Sequence, residues 1–227
     1  MQNAVFVLSL NQKDLEAVAL PGIAAYAERC RARLYVAREP RFRNSDESRA
    51  PAYWEKLQCA HLLRSHNRLL VIDLDVLIRR SCPDLFTAFP DEDKWYARDE
   101  RDLWDAQNKN LDGRMREMCV RHGWAYRDWD GIYFNAGVML VSRPHAMAFY
   151  PPARFHDGDF CEQTWLNVQR SQRRMPFGEI GREIHGLGSG IVKRWDDAQI
   201  VHFAGLCPGD KIRSMQKRRA LDPGGYY

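Results

Sequence analysis

The chain has 227 residues, 45% hydrophobic and 28% charged, which is enough apolar material for one packed domain and too much for wholesale disorder. Lys plus Arg total 34 against 30 Asp plus Glu, a net charge of +4. That excess suits an anionic ligand or an acidic membrane surface, and it is too small to argue nucleic-acid binding.

Ala4 to Leu8 predicts an opening strand, apolar on both faces and therefore central. Helical spacing follows from Leu15 to Arg31, with Pro21-Gly22 as a candidate break, and Arg33 to Ala37 predicts a second strand. Strand, helix, strand is how an α/β fold begins. Residues 38–50 are polar and loop-like. Tyr53 to Ser65 predicts a helix, and Leu69 to Ile72 the most apolar strand of the chain. A short helix or turn is expected at Pro83–Phe89. The stretch 91–130 is dense in charge yet carries Trp95, Trp104, Trp124 and Trp129. It predicts a short strand at Trp95–Ala97, then a helical excursion over the surface, with the tryptophans either packing that excursion or offering stacking platforms to a ligand. Strands are expected again at Tyr133-Phe134, Val138–Val141 and Ile200–Phe203, with a helix at Phe160–Gln169 between the last two. From Lys211 the chain is basic and ends in a Pro-Gly-Gly segment expected to fray.

No apolar run is long enough to span a bilayer, and the N-terminus lacks a secretory leader. Cys30, Cys59, Cys82, Cys119, Cys161 and Cys207 form no C-x-x-C pair. A reduced, cytoplasmic protein is the expectation, without disulfides or a cysteine zinc site.

Four constellations could carry chemistry. Asp73 and Asp75 follow the buried strand and alternate with Leu74, so both carboxylates face one way. Two acids converging at the C-terminal end of an α/β strand repel unless a cation lies between them, and hard oxygen donors suit Mg²⁺ or Mn²⁺ on a diphosphate. The plainer alternative is a solvated or helix-capping pair. His202 closes the last strand, as a third ligand or as a core imidazole. Gly205 behind it allows a thin turn against phosphate, and Lys211 can neutralise one. Asn135-Ala136-Gly137, set between apolar residues, suggests backbone kept thin beside a ligand, or a bulge. Asp159, Glu162 and Gln163 share a helix face, and Asp159 with Glu162 also fits a capping box.

Taken in order, Val71-Ile72-Asp73-Leu74-Asp75-Val76, Tyr133-Phe134-Asn135-Ala136-Gly137-Val138-Met139-Leu140, Glu162-Gln163 with Asn167, and His202-Phe203-Ala204-Gly205 resemble family eight of the GT-A glycosyltransferases, the glycogenin and lipopolysaccharide galactosyltransferase group. The resemblance implies an α/β, Rossmann-like GT-A fold with a central mixed, mostly parallel sheet flanked by helices. It covers residues 1–212 as one domain, the excursion at 91–130 included, with 213–227 as a basic tail able to touch a membrane surface. It implies transfer of a sugar from a nucleotide-sugar donor, a UDP-sugar, to a glycan or glycoconjugate acceptor, with retention of configuration and no nucleic acid involved. Asp73, Asp75 and His202 match the family's metal ligands, usually for Mn²⁺, with Mg²⁺ the alternative. Lys56 matches a basic residue facing donor phosphate or sugar; Ser9 and Asn11 match the nucleotide edge loosely. Asn135, Asp159, Glu162 and Gln163 match positions around donor sugar and acceptor. Two departures stand out. The family's ending places a Lys-Pro-Trp nearer the histidine than Lys211 lies here, and Glu162 stands where Asp is usual. Two rivals remain. A haloacid-dehalogenase-like phosphohydrolase also uses strand then D-x-D, but usually continues with a small pair where this chain has Val76-Leu77; its late acids would be Asp196-Asp197. A non-catalytic sugar-nucleotide-binding relic would keep the scaffold alone.

Overall fold

The computed structural model describes residues 2–42, 52–107, 109–127, 129–156, 160–187 and 197–227. The chain opens with β1 (Ala4–Leu8), α1 (Lys13–Arg29) and β2 (Arg33–Ala37). A 3₁₀ segment at Ala52–Gln58 leads into α2 (Cys59–Leu62), β3 (Arg68–Ile72), β4 (Val76–Ile78) and α3 (Leu85–Ala88). Then come β5 (Trp95–Asp99), α4 (Arg101–Ala106), α5 (Leu111–His122) and β6 (Phe134–Ser142). A second 3₁₀ segment, Arg143–Phe149, precedes α6 (Cys161–Gln172), β7 (Phe177–Glu179), β8 (His185–Leu187), β9 (Ile200–His202) and α7 (Pro208–Leu221).

Six strands form the main sheet in the order β2-β1-β3-β6-β5-β7. All its neighbouring pairs are parallel except those of β6, which runs against both β3 and β5. Alternation along the central strands sends side chains to two cores. Val5, Val7, Leu70 and Ile72 meet Ile23 and Tyr26 of α1 and Met215 of α7 on one face. Phe6, Leu69 and Val71 meet Trp54, Trp95 and Phe149 on the other. Burial on both faces is why these strands read as unbroken apolar runs. A second sheet, β4-β9-β8, pairs β4 against β9 and β8 alongside it. This small sheet brings His202 opposite Val76, next to the end of β3.

Several expectations change. Pro21 does not break α1, which runs through it. Pro21 lies on the exposed side, where water can meet the carbonyl that a prolyl nitrogen leaves unbonded. The run Asn135-Ala136-Gly137 does not end a strand, since β6 is continuous over nine buried residues, but its pairing with β5 shifts register there, from Ala97 opposite Met139 to Asp99 opposite Phe134, which is the bulge the sequence allowed. Trp95 is wholly buried and stacks on Phe149 at 5.1 Å between ring centroids, so it is no sugar platform. Trp104 and Trp129 are partly buried around Tyr133, and Trp124 packs on Trp54 and Trp165. The C-terminal segment does not fray. Helix α7 crosses residue 212, and beyond it Tyr226 is buried and bridged to Arg79, while the Tyr227 N–H donates to Ile78 O. All six cysteines are free thiols; five are buried and Cys207, just before α7, is exposed.

Candidate functional site

The site lies where β3 ends. Asp73 extends the β3–β6 ladder by one bond, its N–H donating to Gly137 O at 2.7 Å. Leu74 turns into the core at 3% exposure, and the flanking carboxylates face the other way, Asp73 half-buried and Asp75 buried. The Phe203 N–H donates to Asp75 O at 2.8 Å. That bond carries the β4–β9 pairing up to the motif and brings His202 Nε2 to 3.1 Å from Asp75 and 3.9 Å from Asp73. Among the described residues these three form the one cluster of metal-binding side chains, with ligand atoms within 4.8 Å of one another. Two hard carboxylates and an imidazole fit Mn²⁺ or Mg²⁺.

Two lysines neutralise the pair of acids. Lys56, from the first 3₁₀ segment, is almost wholly buried. Its Nζ lies 2.8 Å from Asp73 and 3.0 Å from Glu162, and donates to Ala136 O at 3.1 Å. Burial pulls the Lys56 pKa down, but Asp73 and Glu162 outweigh it and hold the ammonium above the ordinary lysine value. Lys211, from the first turn of α7, bonds Asp75. Burial pushes the Asp75 carboxyl up, yet His202 and Lys211 together hold it well below the usual range. Burial also raises Glu162, against the pull of Lys56. A cavity of about 230 Å³ opens over these groups, lined by Lys56, Asp73, Asp75 and Lys211 on one side and by Leu8, Leu10, Gln12 and Tyr53 on the other.

Behind the acids, β6 and α6 are cross-linked by amides. Gln163 accepts from the Ala136 N–H at 2.9 Å and donates to Glu100 at 2.9 Å. Asn135 donates to the other oxygen of Glu100 at 2.8 Å and accepts from the Gly137 N–H at 2.8 Å. Asn167 bonds both the N–H and the carbonyl of Phe134. Burial raises the Glu100 pKa, opposed by those two amide donors. Gly137 is glycine for space: a Cβ there would lie 2.1 Å from Cε1 of His202. The expected thinness beside a ligand is thinness beside the His202 side chain.

The structure thus brings together Lys56, Asp73, Asp75, Glu162, His202 and Lys211, with Asn135 and Gln163 directly behind. Glu162 does not close a capping box. The residue before α6 is Phe160, in a left-handed conformation with no side-chain cap, and the Glu162 carboxylate is spent on Lys56. Gln163 is buried, not on an exposed helix face. Asp159 lies outside the described residues. Ser9 donates its hydroxyl to Glu16, and neither it nor Asn11 lines the cavity; their neighbours Leu8, Leu10 and Gln12 do. Gly205 sits exposed at φ 74° in the turn between His202 and α7.

Sequence reasoning missed Glu100 and His185. Glu100 follows β5 as Asp73 follows β3, and that placement is the signal that could have found it. His185 is wholly buried on β8, with Nε2 3.2 Å from Nδ1 of His202. Burial, His202 and Arg98 keep its pKa far below the ordinary imidazole value.

No protein-family profile matches the sequence, and no curated protein matches it. Solved structures do. A glycosyltransferase involved in glycosylation of the major capsid of PBCV-1 superposes with a TM-score of 0.61 at 11% identity, covering 96% of this chain and 100% of that one. The galactosyltransferase LgtC, in complex with donor and acceptor sugar analogues, superposes at 0.56 with 14% identity, covering 97% and 96%. Mouse xyloside xylosyltransferase 1 does so at 0.52 with 12% identity, covering 90% and 98%. The chain has the GT-A glycosyltransferase fold. No helix among the described residues is long and apolar enough to cross a membrane.

Proposed function

We propose that this chain is a metal-dependent glycosyltransferase that moves a sugar from a nucleoside diphosphate, UDP by the family resemblance, to a glycan or glycoconjugate acceptor. The observation that carries the reading is the convergence of Asp73, Asp75 and His202 with two lysines beneath one open cavity. Asp73, Asp75 and His202 would hold Mn²⁺, or Mg²⁺. When bound, the ion supplies Lewis-acid stabilisation of the leaving diphosphate.

Breaking the bond from the anomeric carbon to the β-phosphate oxygen builds negative charge on that oxygen. Lys211 reaches the cavity from a helix turn at the surface and can leave Asp75 for the diphosphate. Lys56 is fixed, and its charge is already oriented when the reaction begins. The anomeric carbon becomes cationic as the bond lengthens. Glu162 and Gln163 of α6 would answer that charge from behind the acids, with Glu100 holding the Gln163 amide. Retention of configuration belongs to the same proposal, as does a cytoplasmic setting in which the basic α7 lies toward a membrane carrying the acceptor.

The phosphohydrolase reading finds Val76 and Leu77, buried in β4, where that class usually has a small pair. Of its late acids Asp197 is exposed, and Asp196 lies outside the described residues. The relic reading leaves unexplained why both carboxylates and the imidazole stay together. A screen of nucleotide sugars for Mn²⁺-dependent hydrolysis decides among the three. A transferase leaks free sugar and nucleoside diphosphate, a phosphatase releases inorganic phosphate, and a relic releases neither. Calorimetry with UDP and GDP tests the base: equal or tighter Mn²⁺-dependent binding of GDP overturns the assignment to UDP.

A further inference from the structure

We propose that His185 is a positioning residue for His202, accepting the Nδ1 proton of that imidazole so that Nε2 is bare and aimed at the two carboxylates. The inference rests on the proposed metal site and adds to it a residue from a different strand.

The geometry runs from ring to ring. His202 turns Nε2 toward Asp75, at 3.1 Å, and Asp73, at 3.9 Å. To ligate a cation through that nitrogen the ring must carry its proton on Nδ1. Nδ1 then needs an acceptor, and His185 Nε2 stands 3.2 Å away. The two planes differ by only 15° and the centroids are 5.4 Å apart. That separation is close to the N···N distance plus two ring radii, so the rings meet edge to edge as a hydrogen bond in the ring plane requires. Parallel pairing of β8 with β9 sets the spacing, and the His185 carbonyl accepts from Arg98 at 3.3 Å.

His185 has no evident reason to be polar apart from this contact. Its side chain is fully buried, and its own Nδ1 has no hydrogen-bond partner among the described residues. A buried ring nitrogen left without a partner costs stability and calls for an explanation. An apolar side chain would avoid that cost. What an apolar side chain cannot do is accept a proton from His202, and partners of this kind fix the tautomer and orientation of a ligating histidine.

The test is Mn²⁺ affinity in the absence of any nucleotide, read from the loss of the free-ion paramagnetic resonance signal on titration. His185→Phe and His185→Met should bind Mn²⁺ about 10- to 100-fold more weakly than the unmutated chain, with folding checked by circular dichroism. His185→Gln, which offers an amide oxygen near the lost nitrogen, should recover most of that loss. Unchanged affinity in a folded apolar variant overturns the proposal, and so does an equal loss in His185→Gln, which would make the residue packing alone. Asp75→Asn separates the two levels of inference. If the unmutated chain binds no Mn²⁺, or Asp75→Asn binds it equally well, the metal site itself falls and this proposal with it. A measurement on the unmutated protein needs no variant to fold: at saturating Mg²⁺, nitrogen-15 spectra should find the proton of both His202 and His185 on Nδ1. A proton on Nε2 of His185 overturns the assignment.

Discussion

Lys56 and Lys211 answer the same pair of acids from different depths. Lys56 is enclosed between β6, α6 and the end of β3, with 5% of its side chain exposed, and it holds Asp73 and Glu162 together. Lys211 comes from the surface helix α7, keeps 22% exposure and holds Asp75 alone. A buried charge with fixed partners is a structural commitment, because removing one partner strands the others in a medium that solvates them poorly. Lys211 is the more open of the two charges, although the Asp75 carboxylate that it holds is itself buried. One site therefore has an enclosed floor at Lys56 and a more open rim at Lys211.

The sharpest way to break that contrast is Lys56→Met. It should cost about 3–5 kcal/mol in urea unfolding, the range for uncompensated buried charge. Adding Glu162→Gln should recover part of the loss; simple additivity of the two changes would refute the coupling. Asp75→Asn tests the buried acid that Lys211 holds. Being nearly isosteric, it should leave a cooperative unfolding transition, while Mn²⁺-dependent donor hydrolysis drops on the order of a hundredfold or more. Persistent activity in this variant, or in chelator, would remove the glycosyltransferase reading.

Gln163→Ala falls next. On an exposed helix face such a change would be nearly neutral, but here it leaves the Ala136 N–H and Glu100 without their partner. We expect a stability loss of about 1–3 kcal/mol. Slower transfer with nucleotide affinity intact would add a role made mainly in the transition state; unchanged turnover would confine Gln163 to architecture. Lys211→Met should cost less stability than Lys56→Met, because one carboxylate instead of two loses a partner and Asp75 keeps His202, while weakening Mn²⁺-dependent UDP binding. The reverse pattern, large destabilisation with unchanged binding, would erase the distinction between floor and rim.

The pH axis separates the same two groups. The Asp75 pKa is lowered in the folded chain, so its contribution is present above the unfolded carboxylate value, about 4, and is lost as pH falls through the folded one. The stability gap between the unmutated chain and Asp75→Asn should therefore close in acid. The Lys56 pKa is raised, so its contribution is full below the unfolded value, about 10.4, and is lost only as pH rises through the higher folded one. The gap to Lys56→Met should persist into strong alkali. Urea midpoints at several pH values check both signs.

Much of this was readable in the chain. β1, β2 and β3 announce themselves because strands buried on a face, or on both, leave long apolar runs, and the D-x-D after such a run marks where a ligand site belongs. Helix α1 was misjudged only at Pro21, whose exposure no single-sequence pattern displays. The three-residue strands β4, β7 and β8 are too short to show a period, and β8 carries His185. Asn135 and Gly137 stand where the β5–β6 register shifts, as the pattern suggested, but their partners lie across space, in Glu100 and His202. Glu100 itself was lost among the charges that follow β5, since burial decides which of several neighbouring acids matters.

The exposure of Cys207 has a practical consequence. Its carbonyl accepts the N–H groups of Asp210 and Lys211, so it is the hinge on which the first turn of α7 hangs. With the other five thiols buried, a thiol-reactive dye on the unmutated protein should attach at this position. The dye would ride on the turn that carries Lys211, and its emission during addition of Mn²⁺ and then nucleotide would follow that lysine as it changes partners, in real time and without a single substitution.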